Sequence, residues 1–256
     1  MMKIYLNDRS IYIAQQPPES VSPADLMVTF ESPEQIKAVY DEFERYEKWR
    51  NLYIIDPLLP ERNRQSAPEA FSGFFKRVDA AGGIVKNEKG EYLFIHRLGF
   101  WDLPKGKIDV KDIQEALAHP DSSQSEPGFS LPDIIDQDNL QGFRDTATGQ
   151  DDLMPGSEYP ASARLAAIRE VKEETGLKSV CITREILCTW HIYNRKEKHI
   201  LKRTYWFAME ADSGQPLKPQ ASEGIFLAKW TPPKGIHCVL THTYASIREL
   251  ILEEVF

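Results

Sequence analysis

One fifteen-residue stretch constrains this chain more than any other, Ala163 to Leu177, ARLAAIREVKEETGL. At about 100° per residue it reads as an amphipathic helix. Leu165, Ile168 and Val171 make an apolar side, and Glu170, Glu173 and Glu174 gather on the other. Carboxylates at i, i+3 and i+4 are helix neighbours, and each like pair repels by roughly 0.2–0.5 kcal/mol in water. Two readings account for such a cluster. One is a solvated face steadied by an Arg169–Glu173 ion pair. The other is a divalent cation site, because hard metals such as Mg²⁺ take carboxylate oxygens and let phosphate oxygens complete the shell. Gly176 directly after the helix suits the left-handed residue that ends it.

Upstream lies a compact turn, Trp101-Asp102-Leu103-Pro104-Lys105-Gly106-Lys107-Ile108-Asp109, which offers two lysines around a glycine. Turn and helix together resemble the signature of the Nudix family. In words, that signature is a glycine, five residues, Glu, seven residues, then Arg-Glu-aliphatic-any-Glu-Glu-any-Gly-aliphatic. Gly106 takes the place of the first glycine. Arg169, Glu170, Val171, Glu173, Glu174, Gly176 and Leu177 fill the second half position by position. The departure lies between the halves, where roughly fifty extra residues stand. Counted back from Arg169, the first Glu of the pattern falls on Ala161; counted forward from Gly106, it falls on Asp112. That Glu is therefore lost, or supplied by Asp109, Asp112 or Glu158.

The resemblance implies an α/β fold, a Nudix-type α/β/α sandwich around a mixed sheet, spanning residues 76–256 with an acidic insertion at about 110–159. It implies metal-dependent hydrolysis of a pyrophosphate bond in a nucleoside diphosphate derivative, with Mg²⁺ or Mn²⁺ held by Glu170, Glu173 and Glu174. Glu223, ahead of the last strand, is the further candidate ligand or base. Lys105 and Lys107 are the expected phosphate clamps, with Arg97 and Lys202 as further phosphate contacts. Gly106, Arg169 and Gly176 are structural, Arg169 orienting Glu173 or the loop backbone. The Leu-Pro-Lys-Gly-Lys loop is similar to that of Nudix enzymes acting on dinucleoside polyphosphates, diphosphoinositol polyphosphates or oxidised nucleoside triphosphates. Dinucleoside polyphosphates or nucleoside triphosphates rank first, with Trp101, Tyr193, Tyr205 and Trp206 as candidate stacking partners for a base, half or more of them expected to be core instead. Two other classes stay open: a Nudix-like nucleotide sensor that regulates without cleaving, and a front domain that recruits a protein partner.

Composition narrows the partners. The net charge is −8, yet Asp109 to Pro160 holds twelve Asp/Glu against two Lys/Arg, so the remainder is close to neutral. So acidic a stretch repels long nucleic acid. No apolar run approaches membrane-spanning length, and MMKIYLNDRS lacks the apolar core of a signal peptide. Three scattered cysteines suit neither a disulfide framework nor a zinc site, and the cytoplasm is the expected compartment.

The remaining elements follow from pattern. Residues 3–7, 11–15 and 26–30 read as strands, Ser32-Pro33 opens a helix with Ile36, Val39, Tyr40 and Phe43 inward, and 51–56 reads as another strand. They make residues 1–75 a small N-terminal α/β unit, read as a packing or homodimerisation element. Strands are expected at 80–85, where Gly82-Gly83 permits close backbone approach, and at 91–98, 179–190, 201–210 and 224–231. A final helix is expected over 241–254, with Tyr244, Ile247, Leu250 and Ile251 inward. The insertion reads as a solvated flap, with helical turns at 112–119 and 131–140 and a second reading as a lid. Asp136-Gln137-Asp138 resembles the start of a calcium loop, but the glycine is misplaced and no Glu closes it.

Overall fold

The computed structural model describes residues 1–59, 65–119, 160–196 and 198–256. In chain order the strands are β1 (Met2–Leu6), β2 (Arg9–Ala14), β3 (Asp25–Thr29), β4 (Asn51–Ile55), β5 (Lys76–Lys86), β6 (Tyr92–Arg97), β7 (Phe100–Asp102), β8 (Lys105–Lys107), β9 (Cys181–Glu185), β10 (Thr189–Arg195), β11 (Lys198–Glu210) and β12 (Ile225–Thr231). The helices are α1 (Pro33–Arg45), α2 (Ala67–Ser72), α3 (Val110–Ala118), α4 (Ala161–Thr175), α5 (Ile236–Thr241) and α6 (Ala245–Val255).

The described strands build one mixed sheet in the order β12-β6-β5-β11-β10-β1-β2-β4-β3, with β7 beside β6, β8 beside β5 and β9 beside β11. Helices cover both faces, as the alternation along β11 records. Leu201, Tyr205, Phe207 and Met209 turn toward the cores under α1, α2 and α4, whereas Trp206 and Ala208 turn toward α5 and α6. The molecule is thus an α/β sandwich with a mixed sheet.

The N-terminal strands are continuous with this sheet. β1 runs parallel to β10 with Ile4 opposite Trp190, and the core under α1 and α2 takes in Trp190, Ile192 and Leu201 from the later part of the chain. Ser32 caps α1, its hydroxyl accepting the Gln35 N–H at 3.2 Å, with Pro33 at the first helical position. Helix α2 escapes a reading by apolar periodicity because it is only six residues long. Its start is fixed by the Asp56 carboxylate, which accepts the Ala67 N–H at 3.0 Å, and by Glu69, which accepts the Ser66 N–H at 2.8 Å.

Two expected elements are corrected. The strand expected over 179–190 is interrupted: the chain takes four steps from Glu185 to Thr189 while β11 takes three from Phe207 to Thr204. The extra residue lets Ile186 turn into the core beneath α5 and α6. The helix expected over 241–254 starts later, as α6 at Ala245, and an unexpected short helix, α5, precedes it; between the two Thr243 bridges to Trp101 in β7. Tyr244 consequently caps α6 and is exposed, while Ile247, Leu250 and Ile251 are buried as expected. The helical turns expected at 112–119 are α3; residues 131–140, the Asp136–Asp138 segment and Glu158 lie outside the described residues. Among the described residues no helix is long and apolar enough to cross a membrane.

Candidate active site

β5 is the strand on which the site hangs. Near Lys86 it pairs with β6, but along Ala80–Gly82 its partner is β8, so the sheet opens and the 103–107 loop enters the gap. Gly82 makes this possible: a Cβ there would lie 2.4 Å from the Lys105 Cβ and 2.5 Å from the Pro104 carbonyl oxygen. At Gly83 a Cβ would lie 2.5 Å from the Met209 sulfur.

Helix α4 docks on that loop. Its buried residues are Ala163, Ala166, Ala167, Val171, Glu174 and Thr175, so small alanines replace the expected Leu165 as the packing surface and bring the helix close to the sheet. The three glutamates do not share one solvated face. Glu173 is about half exposed, Glu170 is mostly covered and Glu174 is buried. A Cβ on Gly106 would stand 2.1 Å from the Glu170 carboxylate, so only glycine lets loop and helix meet there. Glu174 accepts the Lys105 backbone N–H at 2.8 Å and lies 3.4 Å from the Arg97 guanidinium. Gly176 closes the helix in the left-handed conformation at φ 81°, as expected, and its N–H donates to the Lys172 carbonyl at 2.9 Å.

Arg169 is the tie between the two halves of the motif. It donates to both carboxylate oxygens of Asp112 at 3.0 and 2.9 Å, to the Lys107 carbonyl at 2.9 Å, to Glu170 at 2.8 Å and to Glu173 at 3.2 Å. Asp112 is buried and also accepts the Asp109 N–H at 2.7 Å, which fixes the start of α3. Of the two described acids that could replace the first Glu of the signature, Arg169 grips Asp112, while Asp109 is exposed at 3.8 Å. The chain thus closes across the insertion through a bidentate ion pair.

The cations distribute unevenly. Arg97, at the end of β6, reaches Glu174 and also Glu223 at 2.9 Å, which places Glu223 at the margin of the group. The Lys105 ammonium pairs with buried Asp102, whose other oxygen accepts the Leu103 N–H at 2.8 Å. Lys202 has no ion-pair partner among the described residues. Burial pushes it down to about 7, with Lys105 adding to the effect against Asp102 and Glu174. His191, beside it on the sheet, is pushed down to about 3 by burial and then by Lys202 and Lys105. Burial raises Glu174 to about 7 against the pull of Lys105 and Arg97, and raises Glu170 despite Arg169. Lys107 is exposed, its carbonyl rather than its ammonium engaged.

Sequence reasoning left Asp102 unassigned, although it stands inside the quoted loop three residues before Lys105. Of the aromatic residues expected to stack a base, Tyr205 and Trp206 are buried core and Trp101 packs edge-on to His96. Tyr193 is half-buried beside His191, with ring centroids 5.4 Å apart. Among the described residues no three acidic, histidine or cysteine side chains close into a ready-made metal cage.

The site is therefore one in which a glutamate-bearing helix is clamped to a lysine-bearing loop inside an opened mixed sheet. No protein-family model matches the chain, and no curated protein matches it. Solved structures do. An Ap4A hydrolase of C. elegans in a binary complex is 17% identical, over 69% of this chain and 93% of that one, with a TM-score of 0.37. A MutT NUDIX hydrolase from Burkholderia pseudomallei is 18% identical, over 71% and 99%, with a TM-score of 0.35. The NUDIX domain of NrtR from Shewanella oneidensis, complexed with ADP ribose, is 14% identical, over 72% and 92%, with a TM-score of 0.36. Two of these bear the family name that the motif suggests.

Proposed function

We propose that this chain is a Nudix-type pyrophosphohydrolase that cleaves a phosphoanhydride bond in a nucleoside diphosphate derivative, of the dinucleoside polyphosphate or nucleoside triphosphate kind, with Mg²⁺ or Mn²⁺. The observation that carries the reading is the docking of the Lys105–Gly106 backbone directly on Glu170 and Glu174. It gathers carboxylate oxygens and phosphate-binding cations around one gap in the sheet, as a diphosphate and its counter-ion require.

The residues fit the ion. Glu170 and Glu174 are oxygen donors whose burial leaves their charge incompletely compensated, a deficit that a divalent cation makes good. Two carboxylates are what Mg²⁺ asks of a protein, since it takes one or two and completes its shell with water and substrate phosphate. When bound, the ion supplies charge neutralisation and an acidified water. The rest falls to the chain. Arg97, Lys105 and Lys202 bind and orient the phosphates, and Asp102 holds Lys105 in place. Arg169, fixed by Asp112, keeps Glu170 against the loop so that positioning and charge stabilisation do most of the catalysis. Glu223, held by Arg97, stands ready as a further carboxylate at the margin.

A panel of dinucleoside polyphosphates, nucleoside triphosphates and nucleotide sugars incubated with Mg²⁺ or Mn²⁺ tests the proposal. Hydrolysis of at least one member, reduced about a hundredfold or more in Glu174→Gln, is the expected result. Full activity in that variant, or no hydrolysis of any member, overturns it.

A further inference from the structure

Beside the charged group stands an aromatic surface that the reaction does not account for. Phe100 and Tyr244 stack face to face, with ring centroids 5.0 Å apart and planes 28° from parallel, yet the two residues are 43% and 44% exposed. Neither ring belongs to the apolar cores, whereas the adjacent Trp101 does. An exposed stacked pair gains little from hydrophobic burial in the free protein, so its placement calls for a ligand.

That placement is specific. Phe100 is the direct cross-strand partner of Arg97, so the two side chains leave the β6–β7 pair on the same face. Tyr244 is delivered from the far side of the fold by the break between α5 and α6. The break is pinned at three points: the Trp101 N–H donates to the His242 carbonyl at 2.9 Å, the Thr243 hydroxyl donates to the Trp101 carbonyl at 2.7 Å, and Thr243 bridges to Trp101. Asp102, Lys105 and Arg97 all lie close enough to bear on the Tyr244 phenol. The rings are thus joined to the phosphate-binding cations by one short, rigid piece of backbone.

We propose that Phe100 and Tyr244 form a specificity subsite that takes the flat aromatic ring of the substrate, a nucleobase, while its phosphates lie against Arg97 and Lys105. The inference rests on the proposed function and deepens it. Every base has a π-face, so a stacking wall without a hydrogen-bonding edge accepts bases broadly and rejects substrates that lack one. The subsite therefore separates nucleotides from ring-free polyphosphates more sharply than it separates one base from another.

Titration calorimetry with α,β-methylene-ADP and with methylenediphosphonate, both in Mg²⁺, tests it without turnover. The full chain is expected to bind methylene-ADP about tenfold or more tightly than methylenediphosphonate, the scale of one base–aromatic stack. Phe100→Ala/Tyr244→Ala should bring the two ligands level while leaving methylenediphosphonate affinity unchanged, and Tyr244→Phe should keep the difference. A preference that survives the double substitution overturns the subsite. So does a double variant that disperses a dimer with the preference intact, since the rings would then be an interface between copies. Equal binding of both ligands by the unsubstituted chain sinks the subsite alone, whereas failure to bind either sinks the proposed function with it.

Discussion

The two ends of the sheet are built on opposite principles. At the β1–β4 end, α1 and α2 close over Ile4, Ile11, Ile13, Leu52, Ile54 and a cluster of edge-to-face rings, Tyr40 with Phe71 and Phe75. The charges there are either peripheral, such as the part-buried bridge from Lys3 to Glu249 at 2.6 Å, or satisfied by backbone, as is buried Asp56 at the start of α2. At the β5–β6 end the sheet opens and the gap is lined by Asp102, Lys105, Glu174, Lys202 and Arg97, several of them buried. Burying charge costs free energy unless each group is paired, and at this end the pairing is incomplete. The first region stabilises the fold, whereas in the second burial works against the charged forms of Glu174 and Lys202.

The contrast can be broken from either side. The largest effect is expected of Glu174→Gln, which should lower turnover about a hundredfold or more and leave the melting temperature of the metal-free protein unchanged or higher, because it removes a buried carboxylate charge. The mirror experiment is Phe71→Ala. It should cost about 3–5 kcal/mol in urea unfolding, and tryptophan fluorescence, to which Trp190 in this core and Trp206 and Trp230 in the others all contribute, should change in one transition. Two separate transitions would mean that the continuous sheet does not couple the two ends.

A smaller effect concerns pH in chelator-treated protein. Glu174 is raised to about 7, so between its unfolded value near 4.5 and 7 the folded state holds a proton that the unfolded state has lost, and stability falls as pH rises. Lys202 is lowered to about 7, so between 7 and its unfolded value near 10.5 the unfolded state holds the extra proton, and stability rises with pH. His191, lowered to about 3 from an unfolded value near 6.5, works the other way, so between about 4.5 and 6.5 it offsets Glu174 and the unsubstituted chain should change little in stability. Glu174→Gln should uncover a rise in stability with pH over that range, and Lys202→Met should flatten the alkaline limb. Unchanged pH profiles in both variants would show that these groups are not the ones titrating. Smallest of all, Lys3→Ala should cost about 0.5–1 kcal/mol at low salt and less at high salt, with activity untouched.

Much of the second region was legible before folding was considered. Arg169, Glu170, Glu173, Glu174 and Gly176 follow from helical spacing and from a signature matched residue by residue, and Gly82-Gly83 announced a close backbone approach. The replacement for the first Glu was not, because an insertion of unknown path hides which acid returns to Arg169; among the described residues Asp112 forms the bidentate pair with it. Periodicity gives the face of a strand but not the depth at which that face lies, so the sequence could expect half or more of the four aromatic candidates to be core without saying that these are Tyr205 and Trp206, and it passed over Phe100 and Tyr244.

The sequence alone determined the strands and helices whose pattern is local, the capping of α1 by Ser32, and the spacing of the carboxylates on the 169–177 stretch. Tertiary structure decided what depends on long-range register. It joined β1 to β10, opened the sheet at Gly82, carried Glu174 from an apparently solvated face into a buried one, and set Tyr244 beside Phe100. Local sequence encodes propensity and pattern; burial, and with it the ionisation of a carboxylate or a lysine, is fixed only when distant strands and helices close over it.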